Sequence, residues 1–319
     1  MKKVKKSNTL FTLVALFTLV TISTSFAETY NAILISWDGV QREHFMDLYK
    51  SDKLPNIKDL SKEGNLVEIT VEGHATSTKP GHAEMLTGLT SSVTGVFTNG
   101  KFAPIPVGYT IFEKLESHFG KDNIITVMLT GKSGNLGSLG PNEGEGVKKK
   151  KGKEKEKENP NGEPFYLTRG SLDIWNGDKQ RDAEEVGTNA LMYIESYKDK
   201  RFCMFFHFSD PDHKGHKSGE NSKEYENAII LCDSWLGKII SKLKESQIYN
   251  KTLIYVTSDH GFDEGEKNHK NAPYVYLGTN DKSVKKNGTL ADIVPTILVQ
   301  FGIDVSKVKP ALTGKPLNQ

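Results

Sequence analysis

Short apolar runs alternate with longer amphipathic stretches along this chain, and the two kinds of segment carry different periods. The runs at 32–36 (AILIS), 65–71 (NLVEITV), 123–129 (NIITVML), 201–208 (RFCMFFHF), 252–258 (TLIYVTS) and 273–278 (PYVYLG) are brief and rich in β-branched and aromatic residues. They predict strands, several of them covered on both faces. Between them, stretches near 55–63, 80–88, 109–118, 182–198, 222–245 and 289–301 space their apolar residues as a helix does. This rhythm predicts an α/β domain in three layers, with a mostly parallel central sheet flanked by helices. Ligands of such sheets bind beyond the C-terminal ends of the strands.

The first 27 residues stand outside the rhythm. Lys2, Lys3, Lys5 and Lys6 precede an apolar core from Leu10 to Ile22 that is short for a bilayer span, and Ser25-Phe26-Ala27 offers a small-residue cleavage site. They predict a signal peptide over 1–27, cleaved after Ala27, with an uncleaved anchor as the alternative. Residues 28–319 are then one domain of an exported protein, periplasmic or secreted, with no further membrane segment. Losing the leader leaves 38 basic residues against 40 acidic, so the mature chain is nearly neutral and no general case for nucleic-acid binding remains. Cys203 lies in a strand-like run and Cys232 in a helix-like one, which suits two buried small hydrophobes better than a disulfide.

Residues from about 131 to 178 read as an insertion, a lid or a mobile loop. Within it the run 148–158 (KKKKGKEKEKE) carries seven Lys against three Glu and reads as a solvated loop rather than a basic arm. The nearby 130–133 (TGKS) is not a phosphate loop, because the glycine required five residues before Gly131 is Thr126.

Four polar clusters fall at the ends of expected strands: Asp38 after the first, 76–82 (TSTKPGH) after the second, 210–216 (DPDHKGH) after the fourth and 257–269 (TSDHGFDEGEKNH) after the fifth. Each alone has an ordinary explanation as a turn, a polar loop or a helix cap. Together they bring aspartates, histidines and a hydroxyl toward one crevice. Carboxylate and imidazole at this density suit zinc, manganese or iron, and the number of ligands suggests two divalent metal ions.

These residues resemble the alkaline phosphatase superfamily, and within it the type I phosphodiesterase and nucleotide pyrophosphatase branch. The matching elements are Asp38, 78–82 (TKPGH), 212–216 (DHKGH), 258–261 (SDHG) and His269, in the family's order. The resemblance implies an alkaline phosphatase-like catalytic domain and a phosphodiesterase acting through a phospho-threonine on Thr78. It implies one metal on Asp38, Asp259, His260 and the Thr78 oxygen, and another on Asp212, His216 and His269. It also implies that Asn99 donates to a phosphate oxygen. The implied partner is a small phosphate ester, and no protein partner is suggested.

Alternatives stay open at several positions. Ser77 competes with Thr78 as nucleophile, and Asp210 and His213 compete with Asp212 and His216. His82 is expected to orient the turn, and His207, inside an apolar strand, to be a satisfied core histidine. His44, His74 and His118 carry no readable signal. A phosphomonoesterase of the same fold is the nearest rival activity. It needs a cation beyond the metals to meet the extra charge of a monoester, with Lys79 and Lys132 as candidates. A non-catalytic metal-binding relative is the rival of another class.

Overall fold

The computed structural model describes residues 31–137, 139–141 and 162–318. The expected leader and the Lys/Glu-rich run 148–158 lie outside the described residues.

Eight strands of the described residues form one sheet: β1 (Asn31–Trp37), β2 (Asn65–Thr70), β3 (Ile125–Thr130), β4 (Ile174–Asn176), β5 (Phe202–Phe208), β6 (Thr252–Thr257), β7 (Tyr274–Thr279) and β8 (Gly288–Thr289). Their order is β4-β3-β5-β1-β6-β7-β2-β8. Only the β7 pairings, with β6 and with β2, are antiparallel; the other pairings are parallel. Every residue of β1 and of β5 is buried, as expected for central strands covered on both faces.

Among the described residues ten α-helices accompany the sheet: α1 (Arg42–Lys50), α2 (Pro55–Glu63), α3 (Thr78–Thr87), α4 (Ser91–Thr94), α5 (Ile111–Phe119), α6 (Ser133–Leu136), α7 (Ala183–Ser196), α8 (Asp210–Ser218), α9 (Lys223–Glu245) and α10 (Ile293–Gln300). Alternation along β1 divides the core. Ala32 and Leu34 face a cluster with Met85 of α3, Phe112 of α5 and Ile297 of α10. Ile33 and Ile35 face the opposite one, with Phe45 of α1, Ile57 of α2, Val186 of α7 and Leu236 of α9. The result is the expected three-layer α/β/α architecture. Each fully buried large side chain contributes roughly 1.5–3 kcal/mol of transfer free energy, which fixes the strand ends rigidly beneath the loops that follow them.

Of the span 131–178, the described part is built into the body. Gly131 and Lys132 are buried, and β4 adds to the sheet beside β3. Cys203 and Cys232 are free and buried, with burial pushing the Cys203 thiol up to about 12. No described helix is long and apolar enough to cross a membrane.

Candidate active site

Asp38 follows β1 at a turn only glycine completes well. Gly39 has φ +70°, its N–H donates to Asp259 Oδ1 (3.1 Å), and a Cβ there would stand 3.0 Å from Asp212 Oδ1. Val40 N–H donates to Ser258 Oγ (2.9 Å), so the loop after β1 is bolted to the loop after β6. From the helical layer, the Tyr225 hydroxyl of α9 donates to Gly39 O (2.6 Å) and accepts from Gln41 N–H (2.9 Å).

Asp212 and His216 lie four residues apart on α8, hence on one face. His269 reaches the same place from the loop before β7. These three side chains form one potential metal-ligand set, and Asp38, Asp212 and His260 form another; in each set the donor atoms lie within 4.8 Å of one another.

The orientation of the imidazoles is fixed from behind. His216 Nδ1–H donates to Lys267 O (2.8 Å), His269 Nδ1–H to Thr76 O (2.6 Å) and His260 Nδ1–H to Gly261 O (2.9 Å). Each histidine therefore turns the lone pair of Nε2 inward, the arrangement that metal-binding histidines adopt. Asp212 Oδ1 stands 3.4 Å from His216 Nε2 and 3.7 Å from His269 Nε2, while Asp38 Oδ1 stands 3.7 Å from His260 Nε2. Asp38 Oδ1, Asp212 Oδ1, Asp259 Oδ2 and His260 Nε2 are all buried without a hydrogen-bond partner. A bound cation, or ordered water, would satisfy buried acceptors in that state. The residues present thus fit divalent metal ions of the kind bound by carboxylate and imidazole.

Lys132 enters from the loop after β3. Its ammonium lies 2.9 Å from Asp38 Oδ2, pairs with Asp212 Oδ2, and stands 3.4 Å from Thr78 Oγ1. It therefore holds the outer oxygen of each aspartate while the inner oxygens face the histidines. Burial opposes the Lys132 charge, but Asp38, Asp212 and Asp259 outweigh it and hold the ammonium above its ordinary pKa. For Asp38, burial alone would raise the carboxyl, yet Lys132 and His207 keep it well below the usual range.

Thr78 is the first residue of α3 and is 2% exposed. The hydroxyls before Pro80 do not cap this helix: the Ser77 side chain makes no capping bond and leans toward Ala75 O at 3.5 Å. Asn99 does so instead, its Oδ1 accepting from Lys79 N–H (2.8 Å), which leaves the Asn99 NH₂ as a donor beside Thr78. His82 binds Thr78 O through Nδ1 (2.8 Å) and Ser36 Oγ through Nε2 (2.9 Å), the turn-orienting role expected of it. Gly81 lets α3 sit directly on the Asp259 backbone, where a Cβ would fall 2.4 Å from Asp259 O.

The fold thus brings Asp38, Asp212, His216, Asp259, His260, His269 and Thr78 around one point and sets Asn99 at its edge. Among the described residues neither competing residue, Asp210 or His213, belongs to either ligand set, and His213 is exposed, 3.4 Å from Gln180 Nε2. Lys79 turns away to Glu163 Oε2 (2.8 Å) across the Phe102 ring. His44 pairs with Glu220 (2.7 Å) and His74 with Glu84 (3.3 Å). His207 is buried as expected, but it also donates to Asp38 Oδ2 (2.7 Å), a contact sequence reasoning missed. The available signal was its place near the C-terminal end of a central parallel strand. Burial pushes its imidazole down to about 4, so it stays neutral.

A family model described as type I phosphodiesterase / nucleotide pyrophosphatase matches residues 32–301. A bis(5'-adenosyl)-triphosphatase of Mus musculus is 22% identical over 277 residues, covering 86% of this chain and 55% of the relative. A 2,3-bisphosphoglycerate-independent phosphoglycerate mutase of Clostridium kluyveri is 31% identical over 149 residues, covering 43% of this chain and 27% of the relative. The chain therefore spans between about a quarter and just over half the length of these relatives. Among solved structures, a protein in the alkaline phosphatase superfamily from Vibrio parahaemolyticus aligns with TM-score 0.58 at 17% identity, over 92% of this chain and 70% of the other. A putative sulfatase from Bacteroides fragilis aligns with TM-score 0.62 at 16% identity, over 91% and 79%. At these identities the structural likeness establishes the alkaline phosphatase-like fold.

Proposed function

The chain belongs to the type I phosphodiesterase/nucleotide pyrophosphatase family, and from that premise we propose an exported, two-metal phosphodiesterase that works through a phospho-threonine on Thr78. The observation that carries this reading is the convergence of the buried carboxylate oxygens of Asp38, Asp212 and Asp259 with the imidazoles of His216, His260 and His269, with Lys132 bridging Asp38 and Asp212 to the Thr78 hydroxyl. One metal would be held by Asp38, Asp259 and His260, with Thr78 Oγ1 as a further oxygen, and the other by Asp212, His216 and His269. Zinc suits these donors, and manganese or iron would also fit. When bound, the ions supply Lewis-acid stabilisation of negative charge on the phosphoryl group.

The chain's own residues have distinct parts in the reaction. Thr78 Oγ1 gives its proton to solvent and attacks phosphorus, the bond to the ester oxygen breaks, and that oxygen takes a proton from solvent and leaves as the alcohol. Water then attacks the phospho-threonine and restores the hydroxyl. Lys132, 3.4 Å from Oγ1, favours the ionised alcohol by its permanent charge. Asn99 donates to a phosphoryl oxygen, and the N-terminus of α3 adds its dipole. His82 keeps Thr78 in place. The name of the mouse relative directs the substrate search to nucleotide esters and anhydrides.

One observation favours a second reading. A monoester brings an extra negative charge, and the Lys132 ammonium is buried within the site where that charge would fall. The deciding experiment compares initial rates of the mature protein on a bis-aryl phosphate diester and the matching monoester, with zinc and after chelation, for wild type and Lys132→Met. The phosphodiesterase reading expects a zinc-dependent diester preference that survives the substitution. A monoester preference that Lys132→Met lowers about 10- to 100-fold, the worth of one charge-assisted bond, would establish the phosphatase instead.

A further inference from the structure

We propose that His207 is a positioning residue for the first metal subsite: it fixes Asp38 as a one-oxygen ligand and ties that ligand to the loop carrying Lys132. This rests on the reading of Asp38 as a metal ligand.

The argument begins with the proton. Gly131 N–H donates to His207 Nδ1 (3.2 Å), so Nδ1 is the acceptor and the ring proton belongs on Nε2. Nε2–H then donates to Asp38 Oδ2 at 2.7 Å. The same oxygen receives the Lys132 ammonium at 2.9 Å. Two donors occupy Oδ2, and Oδ1, which has no hydrogen-bond partner, remains as the ligand atom facing His260 Nε2. Without His207, Lys132 alone would hold Oδ2, and the carboxylate could more easily turn to present both oxygens.

Sterics hold the relay in place. His207 is fully buried, in register with Ser36 of β1 and Thr130 of β3, with the His82 ring edge-on at 4.8 Å. A side chain at residue 131 would stand 2.8 Å from Ser209 Oγ and 3.0 Å from His207 O, so glycine is needed for the N–H to approach. A buried neutral histidine needs an acceptor for one ring nitrogen and a donor for the other. Here both nitrogens are committed, one to the Lys132 loop and one to a ligand carboxylate.

The test uses the full mature chain as wild type, His207→Gln and His207→Phe, with folding checked by circular dichroism and melting temperature. Zinc is titrated against a chelator of known affinity, the bound metal is counted, and cobalt-substituted samples are compared by visible spectrum. His207→Phe is expected to weaken one of two sites about 10- to 100-fold and to alter the cobalt bands, the usual size of effect for a residue behind a ligand. His207→Gln, whose amide also reaches Asp38, should recover most of the affinity. Equal affinities and identical cobalt spectra in folded variants would overturn the proposal while leaving the two-metal reading intact. A wild type that binds no zinc would overturn both. Should His207→Phe fail to fold, nitrogen-15 spectra of the zinc-loaded wild type decide: a proton on Nε2 of His207 supports the relay, and a proton on Nδ1 overturns it.

Discussion

The Nε2 atoms of His216 and His269 face each other at 3.1 Å. Because each ring donates Nδ1–H to a backbone carbonyl, both of these nitrogens carry lone pairs, and two lone pairs at that distance repel unless a cation lies with them. Zinc binding should therefore weaken sharply when either is removed. His269→Ala is expected to retain about one metal per chain and to lose activity on the order of 10³-fold, as several kcal/mol of charge stabilisation disappears. Metal counting by mass spectrometry beside the rate would check this, and an unchanged metal count would contradict the ligand assignment.

Thr78 and Ser77 are neighbours with opposite surroundings. Thr78 Oγ1 lies beside Lys132, whereas Ser77 Oγ leans toward a backbone carbonyl outside the ligand cluster. Thr78→Ala should abolish turnover by at least about 10³-fold with zinc binding largely kept, and Ser77→Ala should stay within a few-fold of wild type. Trapping after acid quench should give a phosphorylated peptide containing Thr78 in wild type. A label on Ser77 would reverse the assignment.

Much of this arrangement is legible in the sequence for a physical reason. Buried parallel strands read as continuous apolar runs, and the candidate site residues stand directly after them, so Asp38, Asp259 and His260 could be placed by counting from β1 and β6. Other parts depend on distant packing. β4 is three residues long and leaves no periodic signal. The stretch 210–218 reads as a polar loop because Pro, Asp and Gly are poor helix formers, yet Pro211 in the first turn and packing against α9 make it α8. Lys132 and His207 meet Asp38 only because β3 and β1 both pair with β5 in a register that no local pattern encodes.

Gly81 offers a steric test of the seat of Thr78, the proposed nucleophile. A methyl group there would come 2.4 Å from Asp259 O and 2.9 Å from Asp259 Cβ, atoms of the rigid loop after β6. Gly81→Ala should push α3, and Thr78 with it, away from the cluster of aspartates and histidines. Overpacking of this kind costs about 1–3 kcal/mol of stability, and a displacement near 1 Å of a reacting group can cost about 10²-fold in rate. The prediction is therefore a folded protein with a lower melting temperature and a far lower kcat. A normal kcat would mean that α3 does not need its close seat on Asp259.

Lys114 gives a pH test remote from the candidate site. It sits on α5, is 6% exposed, and its ammonium is wrapped back onto the carbonyls of Gly108 (3.2 Å) and Tyr109. Burial lowers it from its ordinary 10.5 to about 8, with Glu113 opposing in part. Between these values the unfolded chain keeps a proton that the folded chain has released, so the unfolded state binds more protons and stability must rise with pH across that window. The rise is on the order of 2 kcal/mol for a shift of this kind. Other groups titrate there as well, and Lys114→Met, which keeps an apolar stem without the charge, isolates this one. Denaturant midpoints at pH 7.5 and at pH 10 should diverge: wild type should gain stability relative to Lys114→Met as pH rises. Parallel pH profiles for the two proteins would show that the carbonyls of Gly108 and Tyr109 hold the charged amine as well as water does.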